Sequence, residues 1–287
     1  MPASPYTDLD RPPLSARALQ RALAVPDGLW RRIDLRTETG STNVDASAAA
    51  RAGEPEGLVV IAERQTDGRG RRDRQWVSPA RAGLTLSIVL RPGVADPARG
   101  WAAVPNRRYG WLPLLAGVAL LDTVRRMAEV EAALKWPNDL LVGAAGDQAK
   151  CAGILAEAAR DAVVIGIGLN VTTRADELPP AAGPAATSLR LAGATRTDRD
   201  PLLRALLRGV AEWYTAWRDA DGDAAESGLA EAYRLGCATV GRRVRVLLPT
   251  GADLVGEATT VDDDGQLVVR TADGERRVSA GDVVHVR

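Results

Sequence analysis

Four short apolar runs constrain this chain more than any other feature. They are "AALKWP" (132–137), "DLLVG" (139–143), "KCAGILAEA" (150–158) and "AVVIGIGLNV" (162–171). Glycine, asparagine and aspartate punctuate them, so they read as an antiparallel or mixed sheet. Residues 31–38, "GLVVIAER" (57–64) and the alternating "GLTLSIVLR" (83–91) read as further strands. Three segments have helical character. "VDASAAARAG" follows the turn "GSTN" (40–43) and ends at Gly53. "WLPLLAGVALLDTVRRMAEV" (111–130) carries Leu115, Val118, Leu121 and Val124 at three-residue spacing, a helix packed on a core. "DPLLRALLRGVAEWYTAW" (200–217) is the clearest: Asp200 can cap it, Pro201 suits the first turn, and Leu203, Leu206, Val210, Trp213 and Trp217 share a face. A further helix ends near Gly236. "RADELPPAAGPAATSL" (174–189) is a loop. From Val240 the pattern changes to short strands joined by "PTGAD", "DDDG" and "ADGE", a small all-β unit. The expected division is an N-terminal extension over 1–30, a main domain over 31–237 and the β unit over 238–287.

The length, 287 residues, fits about two domains at roughly 150 residues each. Acidic and basic residues balance at 37 each, so a global basic field for nucleic acid or anionic membrane is not supported. The longest uncharged stretch, 109–121, is too short to span a bilayer about 30 Å thick. The start "MPASPYTDLD" has no signal-peptide pattern, and the two cysteines, Cys151 and Cys237, suggest a reducing compartment. A cytoplasmic protein is expected. His285, close to the C-terminus, is the single histidine. One histidine and two cysteines exclude a four-ligand zinc site, and a catalytic triad built on a mid-chain histidine is not expected. Only two of the 37 basic residues are lysine, Lys135 and Lys150. Under so strong an arginine bias, a lysine serving only as a solvated charge should have become arginine. Both are therefore candidates for work that needs a compact ammonium.

Residues 64–74 hold five arginines, at 64, 69, 71, 72 and 74, against Asp67 and Asp73. Gly68 and Gly70 let the backbone approach a ligand closely. Arginines at this density suit phosphate or carboxylate oxygens, and Trp76 adds a flat apolar face. The combination suggests a nucleotide, with phosphates on arginines and base on indole. Mutual repulsion should leave such a loop mobile when empty. A solvated surface loop and a nucleic-acid contact are the other readings of the same residues.

"GRGRRDRQW" (68–76) resembles the glycine–arginine adenylate-binding loop of biotin–protein ligases. "STN" (41–43), "KWPNDLLV" (135–142), "KCAGILAEA" (150–158), "GIGLNV" (166–171) and "GDVVHVR" (281–287) resemble other motifs of that family in the family's order, so the likeness spans roughly residues 33–287. The resemblance implies an α+β fold, a class II synthetase-like catalytic domain with a small C-terminal β-barrel. It implies ATP-dependent activation of biotin to biotinyl-adenylate and transfer to a lysine of a biotin carrier domain of carboxylases. ATP, magnesium and biotin would be the small molecules, and no DNA-binding role is expected. Ser41, Thr42, Asn43 and Gln65 would meet the ureido head. Arg69 and Arg71, on the loop with Gly68 and Gly70, would hold carboxylate and α-phosphate. Lys150 would bridge the same oxygens from the other side, near Gly153. Arg72, Arg74, Lys135, Asn138 and Asn170 would serve ATP, and Trp76 would stack on adenine. Asp139 would be general base for the acceptor amine, or would orient Lys150 with Asn138, or bind magnesium. Gly166 and Gly168 would form the pocket floor. The metal ligands are left open.

Two residues depart from the family pattern. Asp73 stands where glycine is commoner and would place a carboxylate near phosphates. Cys151, beside Lys150, raises the alternative of an acyl-thioester enzyme like the related lipoyl and octanoyl transferases. A lipoate ligase of the same superfamily is the other enzyme alternative, and a nucleic-acid-binding module using the arginine loop is the remote one.

Overall fold

A computed structural model describes residues 10–72, 74–179, 185–248 and 251–286. Asp73 lies outside the described residues, as do 1–9, part of the 174–189 loop and part of the "PTGAD" turn.

The main unit is a seven-stranded mixed sheet. Its strands are β1 (Arg32–Arg36), β2 (Leu58–Ala62), β3 (Gly83–Leu90), β4 (Ala132–Lys135), β5 (Asp139–Val142), β6 (Ala149–Ala159) and β7 (Ala162–Asn170). Their spatial order is β1-β2-β3-β7-β6-β5-β4. β1 and β2 run parallel, and the other neighbours are antiparallel. The four runs over 132–171 thus form the expected antiparallel meander. β3 differs from its sequence reading. All eight of its residues are buried, because it lies between β2 and β7 with helices over both faces. Its alternation is of size rather than exposure, with Thr85 and Ser87 on the side that matters below.

Helix α1 (Ala16–Leu23) packs on β1, and its Gln20 amide covers that sheet edge, accepting from Ile33 N (2.9 Å) and donating to Arg31 O (3.2 Å). An edge strand so covered offers no template for pairing. Helix α2 (Thr42–Arg51) packs on the opposite face, over β2, β3, β6 and β7. Helix α3 (Trp111–Thr123) buries eleven of its thirteen residues, because the sheet lies on one side and α4 (Arg199–Asp219) and α5 (Leu229–Gly236) on the other. It ends earlier than its apolar run: Val124–Ala128 continue as one wider turn, and Glu129 stops the chain in the left-handed region, φ 57°. The cap of α4 is Asp198, whose side chain accepts from Asp200 N; Asp200 sits in the first turn and pairs with Arg204. Leu203, Leu206, Val210 and Trp217 are buried as expected, Trp213 only partly.

The C-terminal unit is a five-stranded antiparallel sheet in the order β11-β10-β9-β8-β12, a small barrel-like element. Its strands are β8 (Arg243–Leu247), β9 (Asp253–Val261), β10 (Leu267–Thr271), β11 (Gly274–Val278) and β12 (Asp282–His285). Two indoles tie it to the main unit. Trp111 donates to Asp263 O (2.8 Å) and Trp136 to Gly265 O (3.2 Å), both in the turn between β9 and β10. Trp136 N also donates to Thr239 Oγ1 (3.1 Å). Buried indole N–H groups need such partners, so these contacts fix the second sheet against the end of β4. No helix among the described residues is long and apolar enough to cross a membrane.

Candidate active site

The sheet face under the N-terminus of α2 is lined by alternate residues of three central strands. In the β3–β7 register Thr85 opposes Gly168 and Ser87 opposes Gly166; in β6–β7, Gly153 opposes Gly168. The pleat therefore puts Thr85, Ser87, Gly153, Gly166 and Gly168 on one side. The glycines open a hollow. A Cβ on Gly168 would lie 2.7 Å from Trp76 Cζ2, and one on Gly166 2.9 Å from Asn43 Cγ. Trp76 and Asn43 thus rest directly on the β7 backbone.

Lys150 should by alternation face away from Gly153, since the two are three apart. It does not, because the β5–β6 register skips Cys151: Leu140 pairs with Ala152 and Leu141 with Lys150. This bulge adds one unpaired residue and re-aims the strand start. Lys150 Nζ consequently reaches Asp139 Oδ1 at 2.6 Å, with the side chains 27% and 14% exposed. The oxygen receives no well-directed hydrogen bond among the described residues, so the contact is Coulombic.

The cavity above this floor measures about 640 Å³. Ser41, Thr42, Asn43 and Gln65 form a neutral polar end; Arg69, Arg71, Arg74, Lys135 and Lys150 bring cations to the rest. Ser41 occupies the N-cap position of α2 without a side-chain capping bond, so its hydroxyl is not spent on the helix. The amide of Gln65 does that work from outside: its Oε1 accepts from Thr42 N (2.8 Å) and Thr42 Oγ1 (2.9 Å).

The arginine loop folds back on itself. Trp76 N donates to Gly68 O (2.8 Å), and Gly70 N to Arg74 O (2.6 Å). A Cβ on Gly70 would lie 3.1 Å from Arg74 O. Arg71 donates to Asn138 Oδ1 (3.0 Å) and Gly281 O (3.4 Å). Arg72, at φ 55°, reaches Asp282 Oδ2 (3.2 Å) and Leu248 O (3.2 Å), and Arg74 pairs with the same Asp282 oxygen. The C-terminal unit thus supplies a wall made of Leu247, Asp282, Val283, Val284 and His285.

Burial and repulsion perturb the cations. Burial pushes the Arg71 guanidinium down, with Arg74 and Arg72 adding to it and Asp139 opposing. Burial likewise lowers Lys135, helped by Lys150 and Arg74 and again opposed by Asp139. Asp139 is therefore the shared counter-charge of the cluster. Burial, then Lys135 and Arg242, hold the His285 imidazole down to about 4, and its Nε2 lies 3.1 Å from Thr239 Oγ1. A cavity with a neutral polar end and converging cations can bring a carboxylate and a phosphate together.

Residues 37–170 match the Biotin/lipoate A/B protein ligase family, and residues 239–286 match the Biotin protein ligase C terminal domain. The chain is similar to a biotin–[acetyl-CoA-carboxylase] ligase of Mycobacterium tuberculosis, 44% identical over 287 residues, covering 98% of this chain and 100% of that one. The chain belongs to the biotin protein ligase family. A bifunctional ligase/repressor BirA of Bacillus subtilis is 32% identical over 85% of this chain and 70% of its own length. The biotin protein ligase of Aquifex aeolicus has the same fold, with a TM-score of 0.69 at 21% identity over 90% of this chain and 100% of that one.

Of the residues singled out from the sequence of this biotin protein ligase family member, most meet at the cavity. Ser41, Thr42, Asn43, Gln65, Arg69, Gly70, Arg71, Arg74, Trp76, Lys135, Asn138, Asp139, Lys150, Gly153, Gly166 and Gly168 line it. Three do not. Gly68 and Arg72 line an adjoining hollow instead. Asn170 lies past the floor, its Nδ2 donating to Thr187 O (3.0 Å), so its amide holds the chain that follows. The thioester alternative fails on Cys151. The bulge turns its thiol inward; it is fully buried, donates to Asn170 O (3.3 Å), and burial pushes its pKa far up. Only a thiolate attacks an acyl group. Sequence reasoning missed Gln75, Gln148, Asp282 and His285, which also line the cavity. The isolated histidine was the available signal: one imidazole in the whole chain, placed in the closing motif.

Proposed function

We propose that this protein activates biotin with ATP and passes the biotinyl group to a lysine of a carboxylase biotin carrier domain. The observation that carries this reading is a single cavity in which a neutral polar end faces converging arginines and lysines. Biotin has that division, with an uncharged ureido head and an anionic tail.

In the first half-reaction a biotin carboxylate oxygen forms a bond to the α-phosphorus, and the bond to pyrophosphate breaks. Two anions must approach, which costs Coulomb energy unless cations flank both. Arg69, Arg71 and Lys150 are assigned this work, and Lys150 is aimed by Asp139. Arg74, Lys135 and Asn138 serve the nucleotide, and Trp76 offers its ring to adenine. In the second half-reaction the acceptor amine bonds to the acyl carbon and AMP leaves. Asp139 is assigned the amine's proton. Magnesium would arrive on the phosphate oxygens: among the described residues no three acidic, histidine or cysteine side chains gather to hold a metal, and Asp139 and Asp282 are already paired with cations. We assign these steps to the domain over 31–237, with 238–287 closing the cavity, in the cytoplasm.

The test is a transfer assay with ATP, magnesium, biotin and a biotin carrier domain, with lipoate in parallel and carrier mass as readout. A gain of one biotin, lost in Lys150→Ala and absent with lipoate, is expected. Lipoyl transfer without biotin transfer would overturn the substrate assignment.

A further inference from the structure

Behind the polar end of the cavity runs a chain of hydrogen bonds that the roles above do not use. Asn43 Nδ2 donates to Glu157 Oε2 at 2.7 Å. Asn43 Oδ1 lies 2.6 Å from Ser87 Oγ, which lies 2.8 Å from Thr42 Oγ1, which lies 2.9 Å from Gln65 Oε1. Ser87 is fully buried, and Thr42 and Asn43 nearly so. Glu157 does not line the cavity; it lines an adjoining hollow that shares the arginine loop and Leu155 with it.

Glu157 Oε2 accepts from Asn43 Nδ2, and this contact sets the direction of the chain. Asn43 must therefore turn its NH2 to Glu157 and its carbonyl to Ser87. The single Ser87 hydroxyl proton then goes to Asn43 Oδ1. Thr42 is left with one proton for two neighbours, Ser87 Oγ and Gln65 Oε1. Three oxygen–oxygen contacts share two hydroxyl protons, so this end of the cavity is one donor short. Gln65 Oε1 already holds the Thr42 N–H at 2.8 Å, so the missing proton is the one between Thr42 Oγ1 and Gln65 Oε1, two oxygens 2.9 Å apart whose repulsion a ligand donor relieves. A cyclic urea brings N–H groups to such a place, whereas a dithiolane brings only carbon and sulfur.

We propose that Glu157 is a positioning residue which, through Asn43 and Ser87, keeps the head-group end rich in acceptors and so selects a head with N–H donors. This rests on the biotin reading above. Glu157 exerts the selection without touching the ligand.

The decisive variant is Glu157→Gln. An amide at 157 can donate, so the Asn43 amide is free to turn over, its NH2 satisfies Ser87, and the shortage of donors disappears. Biotin affinity measured by calorimetry on the full chain should fall by about tenfold or more, with ATP affinity and thermal midpoint unchanged. Combining Glu157→Gln with Asn43→Asp moves the carboxylate by one place along the chain, and its oxygens again accept from both neighbours. This double variant should regain most of the affinity, an outcome that a merely structural role for Glu157 does not produce. Wild-type affinity in folded Glu157→Gln, or a double variant no better than the single, would overturn the proposal. Should Glu157→Gln not fold, Ser87→Ala removes the middle link and should show the same loss confined to biotin; an unchanged affinity there also overturns it. Wild-type protein that binds ATP but not biotin would instead bring down the substrate reading, and this inference with it.

Discussion

Gly168→Ala adds one methyl group under Trp76 and tests whether that ring is the nucleotide's platform. The new Cβ would sit 2.7 Å from both Cζ2 and Nε1 of Trp76. Carbon contacts settle near 3.5–4.0 Å, so the ring must withdraw by about 1 Å. It cannot withdraw downward, because the β6 backbone at Gly153 lies under its other edge, close enough that a Cβ added there would touch Cζ3 at 3.4 Å. Nor can its backbone follow freely, since Trp76 N is bonded to Gly68 O at 2.8 Å. The ring is therefore driven up into the cavity. Overpacking a closed core costs roughly 1–3 kcal/mol, but this ring borders open space, so the loss of stability should be about 1 kcal/mol or less. Binding suffers more. Base–aromatic stacking contributes roughly 1–3 kcal/mol, or about five- to 150-fold in affinity. KM for ATP at saturating biotin should rise within that range, and Trp76→Ala should behave alike. A Gly168→Ala protein with an unchanged thermal midpoint and an unchanged KM for ATP would refute the stacking role.

Three further outcomes follow from the cluster around it. Lys150→Arg keeps the charge but replaces a compact ammonium with a planar fork, and pyrophosphate release should drop by about a hundredfold or more; a normal rate would show that only charge is needed there. Asp282→Asn releases Arg72 and Arg74, so trypsin should cut the ligand-free loop several times faster than in wild type, and equal cutting would mean that the pairs do not hold the loop. For His285 the folded protein keeps the neutral ring down to about 4, while the unfolded chain takes up a proton below 6.5. This contribution to stability is complete above about pH 6.5 and is lost as the pH falls towards 4. His285→Gln should flatten the thermal midpoint across that window; an identical acid slope would place the sensitivity elsewhere.

The elements were legible where a local rule decides them. The meander over 132–171, the helix α4 and the β unit after Val240 follow from apolar runs and turn residues alone. The failures come from neighbours. Asp200 has a capping side chain, but Asp198 begins the helix two residues earlier and takes the role. β3 carries an alternating sequence, yet its burial on both faces depends on α2 and α4, which no strand pattern reveals. The site shows the same division. Motifs identified Lys150 and Gly153, but period-two counting puts them on opposite faces. Only the bulge at Cys151 reconciles them, and the same bulge removes Cys151 from the chemistry. Asp282 gave no signal as a site residue and His285 only its isolation, because both belong to the second sheet, whose docking rests on Trp111 and Trp136 reaching one turn.

That docking bears on the charge of the empty site. Five cations line one cavity, and burial already weakens two of them, so the cluster needs counter-groups before any substrate enters. The main sheet supplies Asp139 to Lys150 and the Asn138 carbonyl to Arg71. The second sheet supplies Asp282 to Arg72 and Arg74 and the Gly281 carbonyl to Arg71. Repulsion alone predicts a loop that stays open when empty; with these partners it has a folded state to occupy instead. Each partner presents the kind of oxygen that a carboxylate or phosphate presents. On the roles proposed above, substrate anions would exchange with internal oxygens rather than enter a bare positive field, which makes binding weaker but more selective than the arginine count suggests. Since half of those internal oxygens sit on the C-terminal unit, the proposed roles make nucleotide affinity and the seating of that unit one equilibrium seen from two sides.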